Sequence, residues 1–399
     1  MSFRTAGESH GRGLVAVLEG IPAGLSLSME GDVDPDLRRR QGGHGRGRRM
    51  QIETDRAEVI SGVRLGETIG SPIAMVVWNR DAENWATAMS PLPPPADVNP
   101  KALRAMYLPR PGHADLVGIL KYDRRDTRDV LERASARETT MRVACGAIAR
   151  RLLAEFGIEV GSHIVSIGDV CARLPEELPA ELNAAVDDDP VRCLDEDASA
   201  RMVEAIDRAK EEGDTLGGIF EVVVTGLPVG LGSYVSWDAK LDGRLAGAVM
   251  SIQAVKGVEI GLGFEGARRP GSQVHDPIET DADKPRTGAI GRASNRAGGL
   301  EGGVTTGEPL VIRGAMKPIS TLRRRLPSVD MRDGSPADAA VERSDVCAVP
   351  AAGVVGEAMV ALVLADALLE KFGADSITEL RRNLTGYLDH LGQRGFGER

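Results

Sequence analysis

Ser9, His10 and Arg12 fall inside the run Gly7-Glu8-Ser9-His10-Gly11-Arg12-Gly13. A hydroxyl, an imidazole and a guanidinium on a glycine-rich turn can bind an anion and move a proton at it. Apolar residues 14–18 follow, then Gly20-Ile21-Pro22-Ala23-Gly24-Leu25, which reads as strand, then turn. The run also fits Gly-x-Ser-x-Gly, the nucleophile elbow of serine hydrolases. An elbow needs a helix after the serine, and here a strand-like run follows, so the match is weak. The plainer alternative is that Ser9 and His10 only hydrogen-bond a tight turn.

Other candidates carry positive charge. Residues 37–49 hold six arginines and four glycines, with no lysine. Arginine suits forked contacts to carboxylate and phosphate, and glycine lets backbone amides approach an anion. Arg40, Arg46 and Arg49 therefore suggest a small-polyanion site. His113 follows Arg110 in a Pro-Gly turn. Ser135 opens Ser-x-x-Glu, a capping box, with Arg133 and Arg137 beside a helix N-terminus. Lys317 with Ser320 and Thr321 suits a phosphate, and Asp345 follows Arg343, on the bland view an exposed ion pair. Gly261-Leu262-Gly263-Phe264-Glu265-Gly266 is a lone GxGxxG, but Pro270 soon after it argues against the helix a dinucleotide site needs. No P-loop motif occurs.

The elements that must position these groups repeat themselves. Gly213-Asp214-Thr215-Leu216-Gly217, an apolar run and Gly226-Leu227-Pro228-Val229-Gly230-Leu231 echo the first hairpin at constant offset. Gly70-Ser71-Pro72-Ile73 is echoed by Gly307-Glu308-Pro309-Leu310. Two echoes predict an internally duplicated fold. His10 aligns with Leu216 and Arg12 with Gly218, so the first copy carries polar groups that the shared frame does not require. Strands are expected around Met50, Ile52, Val59-Ile60 and 73–78, a helix from Met141 to Phe156, and a buried helix from Val354 to Phe372. The acidic stretch 172–212 reads as surface helix without chemistry, and 91–95 as a proline-rich loop.

Composition narrows the class. The 399 residues suggest two or three domains by length alone. A net charge of −10 and 3% aromatic residues argue against a nucleic-acid or anionic-membrane binder. Cys145, Cys171, Cys193 and Cys347 show no metal spacing and read as reduced thiols of a cytoplasmic protein. No apolar signal region follows Met1, and the longest apolar run, 358–365, is too short to span a bilayer.

Taken together, the runs 7–13, 38–50, 110–122, 132–148, 251–263, 295–307, 316–321 and 342–364 resemble chorismate synthase. Each is a loose pattern; all eight in this order are specific. The resemblance implies an α+β fold, a layered β-α-β sandwich with internal duplication, as one domain over 1–399 in a homotetramer. It implies 1,4-trans elimination of phosphate from 5-enolpyruvylshikimate 3-phosphate to give chorismate, the last step of the shikimate pathway. The implied cofactor is reduced FMN, with no net redox change and no metal. Catalytic roles would fall to His10, His113, Asp345, Ser9 and Ser135. The flavin would lie on Arg133, Ala134, Ser135, Gln253, Ala254, Gly302, Lys317, Pro318, Ile319, Ser320, Thr321 and Arg343. Arg40, Arg46, Arg49, Arg110 and Arg137 would meet the substrate's anionic groups. Arg40 and Arg46 would serve NADPH only if the protein reduces its own flavin; otherwise a separate flavin reductase is implied. His44 departs from the family, which often has an aromatic there. Two rivals stand beside this reading: a serine hydrolase at Ser9, and a phosphoester-binding module without catalysis.

Overall fold

The computed structural model describes residues 1–47, 53–281, 287–342 and 344–394. Met50, Ile52, Arg49 and Arg343 lie outside them.

Two antiparallel sheets face each other across a layer of helices. In the first, Ser2–Ala6, Gly13–Glu19, Ile73–Trp78 and Glu58–Val59 lie side by side in that order. In the second, the order is Val255–Ile260, Leu310–Met316, Gly218–Thr225, Glu159–Ile167 and Val170–Cys171. The strand Gly13–Glu19 alternates buried and exposed residues, as a strand with one face on a core must. Between the sheets run Thr139–Ala154, against the first sheet, and Val349–Phe372, against the second. One hydrophobic core joins both sheets and both central helices.

The expected duplication is present in the register. Leu18 pairs with Ile73 in the first sheet, and Val224 with Leu310 in the second. These are the same positions of the two sequence echoes. Each copy runs strand, strand, helix, strand, strand, long helix; Asp34–Gln41 and Leu241–Met250 are the matching short helices. Each copy also carries the same clasp. Thr68 Oγ1 donates to the Pro22 carbonyl at 2.6 Å and accepts from Leu25 N at 3.0 Å. Thr305 Oγ1 donates to the Pro228 carbonyl at 2.7 Å and accepts from Leu231 N at 2.8 Å.

The central helices approach closely because their contact is made of small residues. A Cβ on Gly146 would lie 2.3 Å from Ala358 Cβ, and one on Gly356 would lie 2.7 Å from the Phe220 ring. The second helix starts at Val349, earlier than the sequence suggests, because Pro350 sits in the first turn, where its missing N–H costs nothing. At 24 residues it is long and apolar enough to cross a membrane, but it lies inside the protein. Its one charged residue before Asp366 is Glu357, 1% exposed, which pairs with Arg39, Arg150 and Arg192. The helix Glu196–Glu212 buries Ala198, Met202 and Ile206, so it is part of the core rather than a surface appendage.

Candidate active site

The first hairpin turn supplies His10. Gly7 takes φ +106°, and a Cβ there would lie 2.5 Å from the Gly13 carbonyl, so only glycine closes this turn. Ser9 N donates to the Glu132 carbonyl at 3.0 Å, and His10 N donates to Glu132 Oε2 at 2.8 Å. The His10 ring places Nδ1 3.0 Å from both Glu132 oxygens and stacks on Trp85 with centroids 3.9 Å apart. A strand, not a helix, follows Ser9, so the hydrolase elbow is absent.

The arginines arrive from three further elements. Arg40 ends Asp34–Gln41, and Arg137 lies in the turn that opens the first central helix. Both bind one buried carboxylate: Arg40 Nη2 donates to Asp55 Oδ2 at 2.8 Å, and Arg137 Nη1 to Asp55 Oδ1 at 2.6 Å. Asn79 Oδ1 takes the rest of the Arg137 fork at 3.0 and 2.8 Å. Burial pushes the Arg40 guanidinium down to about 10; Asp55 opposes this, while the charges of Arg137 and Arg46 add to it. An anion bound among these groups relieves that repulsion. Arg46 Nε lies 3.1 Å from Asp345 Oδ2, and Gly47 N donates to Asp345 Oδ1 at 2.6 Å. Behind this loop, a Cβ on Gly45 would lie 2.8 Å from Ile206, and His44 Nε2 lies 2.8 Å from Asp207. The acidic stretch thus braces the Arg46 loop.

The opposite wall comes from the loop at 110–115 and the end of Leu310–Met316. His113 Nδ1 lies 2.5 Å from Asp115 Oδ1. Arg110 clamps the same carboxylate at 2.8 and 3.0 Å and reaches Thr321 Oγ1 at 2.9 Å. Burial alone would raise Asp115, but the His113 and Arg110 contacts hold it well below the usual carboxylate range. Lys317 Nζ donates to the Gly112 carbonyl at 3.2 Å, and burial lowers its pKa. Ala254 sits at φ +68°, an uncommon conformation for a side chain, and its carbonyl accepts from Lys317 N at 2.9 Å.

These walls enclose a cavity of about 400 Å³. Of the expected residues, Ser9, His10, Arg40, Arg46, Arg110, His113, Ala134, Ser135, Arg137, Gln253, Ala254, Lys317, Ile319, Ser320, Thr321 and Asp345 line it. Three do not. Arg133 turns away and donates to the Thr5 carbonyl and Oγ1 at 2.9 and 2.8 Å. Gly302 lies in the turn after Leu300–Glu301, beside Tyr234. Pro318 packs its backbone on Gly217. Ser135 Oγ caps Arg137 N at 3.2 Å as expected, but Glu138 does not complete the capping box. It binds Thr5, Arg142 and Gln253 instead. Gln253 Nε2 donates to Glu138 at 3.0 Å, while its buried Oε1 has no hydrogen-bond partner among the described residues.

Sequence reasoning missed the groups that hold these side chains: Asp55, Asn79, Trp85, Asp115 and Glu132. Asp115, two residues from His113, is the one that local spacing could have flagged.

Fold and cavity define a class: a duplicated α+β frame around one cavity lined by arginines, a lysine and two histidines. Comparison with known proteins narrows this. A sequence model described as "Chorismate synthase" matches residues 1–369. The chorismate synthase of Desulforudis audaxviator is 57% identical over 98% of both chains. That of Geobacter sulfurreducens is 56% identical over 98% of this chain and 99% of the relative. A crystal structure of chorismate synthase aligns with TM-score 0.76 and 44% identity over 98% of each chain. The chain belongs to the chorismate synthase family.

Proposed function

We propose that this protein eliminates phosphate from 5-enolpyruvylshikimate 3-phosphate in the 1,4-trans sense, giving chorismate, with reduced FMN and no net redox change. Family membership supports the reaction class. The observation that carries the reading is the convergence of Arg40, Arg46, Arg110, Arg137 and Lys317 with two histidines on one cavity. The substrate has two carboxylates and a phosphate, and charge-assisted contacts from arginine match that set. The residues present also fit the flavin. Lys317, Ser320 and Thr321 suit its phosphate, and Gln253 Oε1, without a hydrogen-bond partner among the described residues, suits a ring N–H. When bound, reduced FMN supplies the electron density and the hydrogen acceptor required by a C–H bond with no adjacent carbonyl.

The chain's own groups do the rest. His10 gives a proton to the leaving phosphate. His113, held by Asp115, would hold or give a proton on the side of the bound cofactor. Asp345, with Ser9 and Ser135 on the same cavity, would take up a proton released on the side of the bound flavin. Arg40 and Arg46 are also the cations an NADPH phosphate would meet if the protein reduces its own flavin; otherwise a flavin reductase serves it. We extend the reading to a cytoplasmic homotetramer. The test is an anaerobic assay with photoreduced FMN and the phosphorylated substrate. Chorismate and phosphate should appear together. Full turnover with oxidised FMN and no reductant, or binding without turnover, would overturn the reading.

A further inference from the structure

We propose that Glu132 is a positioning residue that fixes the tautomer of His10, making Nε2 the nitrogen with which this histidine works. The inference rests on the acid role of His10 given above. Glu132 lies on the helix Arg128–Ala134 and is 3% exposed. Three donors converge on its carboxylate: His10 N at 2.8 Å, His10 Nδ1 at 3.0 Å and Arg128 Nη1 at 2.8 Å. Burial alone would raise Glu132, yet the His10 bonds and charge, with Arg128, hold it below the usual range. An ionised carboxylate has no proton to give, so every one of these bonds is donated to it. The proton on Nδ1 is thereby fixed, and Nε2, across the ring, is where a proton can be delivered and regained.

The ring is also held in plane. Trp85 stacks on it at 3.9 Å and 28°. Arg104 lies 4.0 Å and Arg128 4.9 Å from the Trp85 ring, so the indole is itself pinned. Arg128 thus touches both the carboxylate that orients His10 and the ring that stacks on it. The same device recurs across the cavity, where Asp115 takes His113 Nδ1 and is clamped by Arg110. Two histidines from unrelated turns, each with Nδ1 on a buried carboxylate that an arginine also binds, point to a requirement of the chemistry rather than of either loop. A glutamine at 132 cannot replace the carboxylate, because its NH₂ would face one of three donors.

The test is ¹⁵N NMR of imidazole-labelled protein together with steady-state kinetics. In the unaltered protein, neutral His10 should show a protonated Nδ1 and a bare Nε2. Glu132→Gln should shift population toward the Nε2–H form and lower kcat about 10²-fold or more, with KM within about twofold. Glu132→Asp, which keeps the charge, should restore the Nδ1–H tautomer and part of the turnover. An Nε2–H tautomer in the unaltered protein overturns the proposal, even if the variant fails to fold. So does a tautomer unmoved by Glu132→Gln. The tautomer is read without substrate or flavin, so failure of the proposed reaction and failure of this assignment are distinguishable.

Discussion

The two copies of the duplicated unit share strand order, register and the threonine clasp, and differ at the turn that opens each hairpin. The first turn holds Ser9 and His10 against Glu132; the second places Leu216, whose N donates to the Val346 carbonyl, in a backbone bridge to Cys347. The frame is common, and polar side chains of the cavity sit where the copies diverge. Divergence is not confined to one copy, however. The loops after the matching short helices both reach the cavity, one as Arg46 and Gly47, the other as Gln253 and Ala254. Duplication therefore supplied two equivalent approaches to one site, and each took a different kind of side chain.

Four measurements break or sharpen this comparison. The largest effect is expected from His10→Leu, which gives the first copy the residue of the second. Turnover should fall about 10²- to 10⁴-fold; near-normal turnover would remove His10 from the chemistry. Next, Arg46→Ala should weaken substrate binding about tenfold or more, since a charge-assisted bond contributes roughly 1.5–3 kcal/mol. Calorimetry showing the same loss for FMN would merge two roles held apart here. Third, Thr68→Val and Thr305→Val should each cost about 1–3 kcal/mol in denaturant unfolding, because each strands a buried N–H and loosens a carbonyl. Markedly unequal losses would show that the copies are not equivalent frames. The fourth measurement concerns the central helices, which differ in charge: the first supplies Arg150 and the second Glu357. Burial opposes ionisation of Glu357, but Arg39, Arg150 and Arg192 hold it down at about 2, from an ordinary 4.5. A depressed carboxylate contributes stability above its unfolded pKa and loses it as pH falls through the folded one. The melting temperature should therefore drop as pH falls from about 4.5 toward 2. Glu357→Gln should flatten that limb; an unchanged limb would place the titration elsewhere.

The frame was legible because glycine and proline mark backbone shape, and Gly20, Gly24, Gly226 and Gly230 all take positive φ in the two equivalent turns. Cationic and hydroxyl groups of the site were legible because their types are uncommon in such clusters. Their partners were not. Asp55 meets Arg137 from 82 positions away, and an isolated carboxylate carries no mark of that pairing. The place of Arg133 outside the cavity lining was illegible for the same reason: the Thr5 groups it binds lie on a strand far off in sequence. Local pattern reports conformation, whereas partnership depends on the closed fold.

The helix Val349–Phe372 has a consequence for how the chain is made. It emerges from the ribosome only after every strand of both sheets. Until then the second sheet lacks the helix that lies against it, and its apolar inner face has no permanent cover. The nascent protein must therefore pass through a long interval in which it invites chaperones and proteases. Ribosome-bound chains stopped before residue 349 should be cleaved rapidly throughout, and chains released past residue 372 should resist. Equal resistance of both would show that the first copy closes on its own.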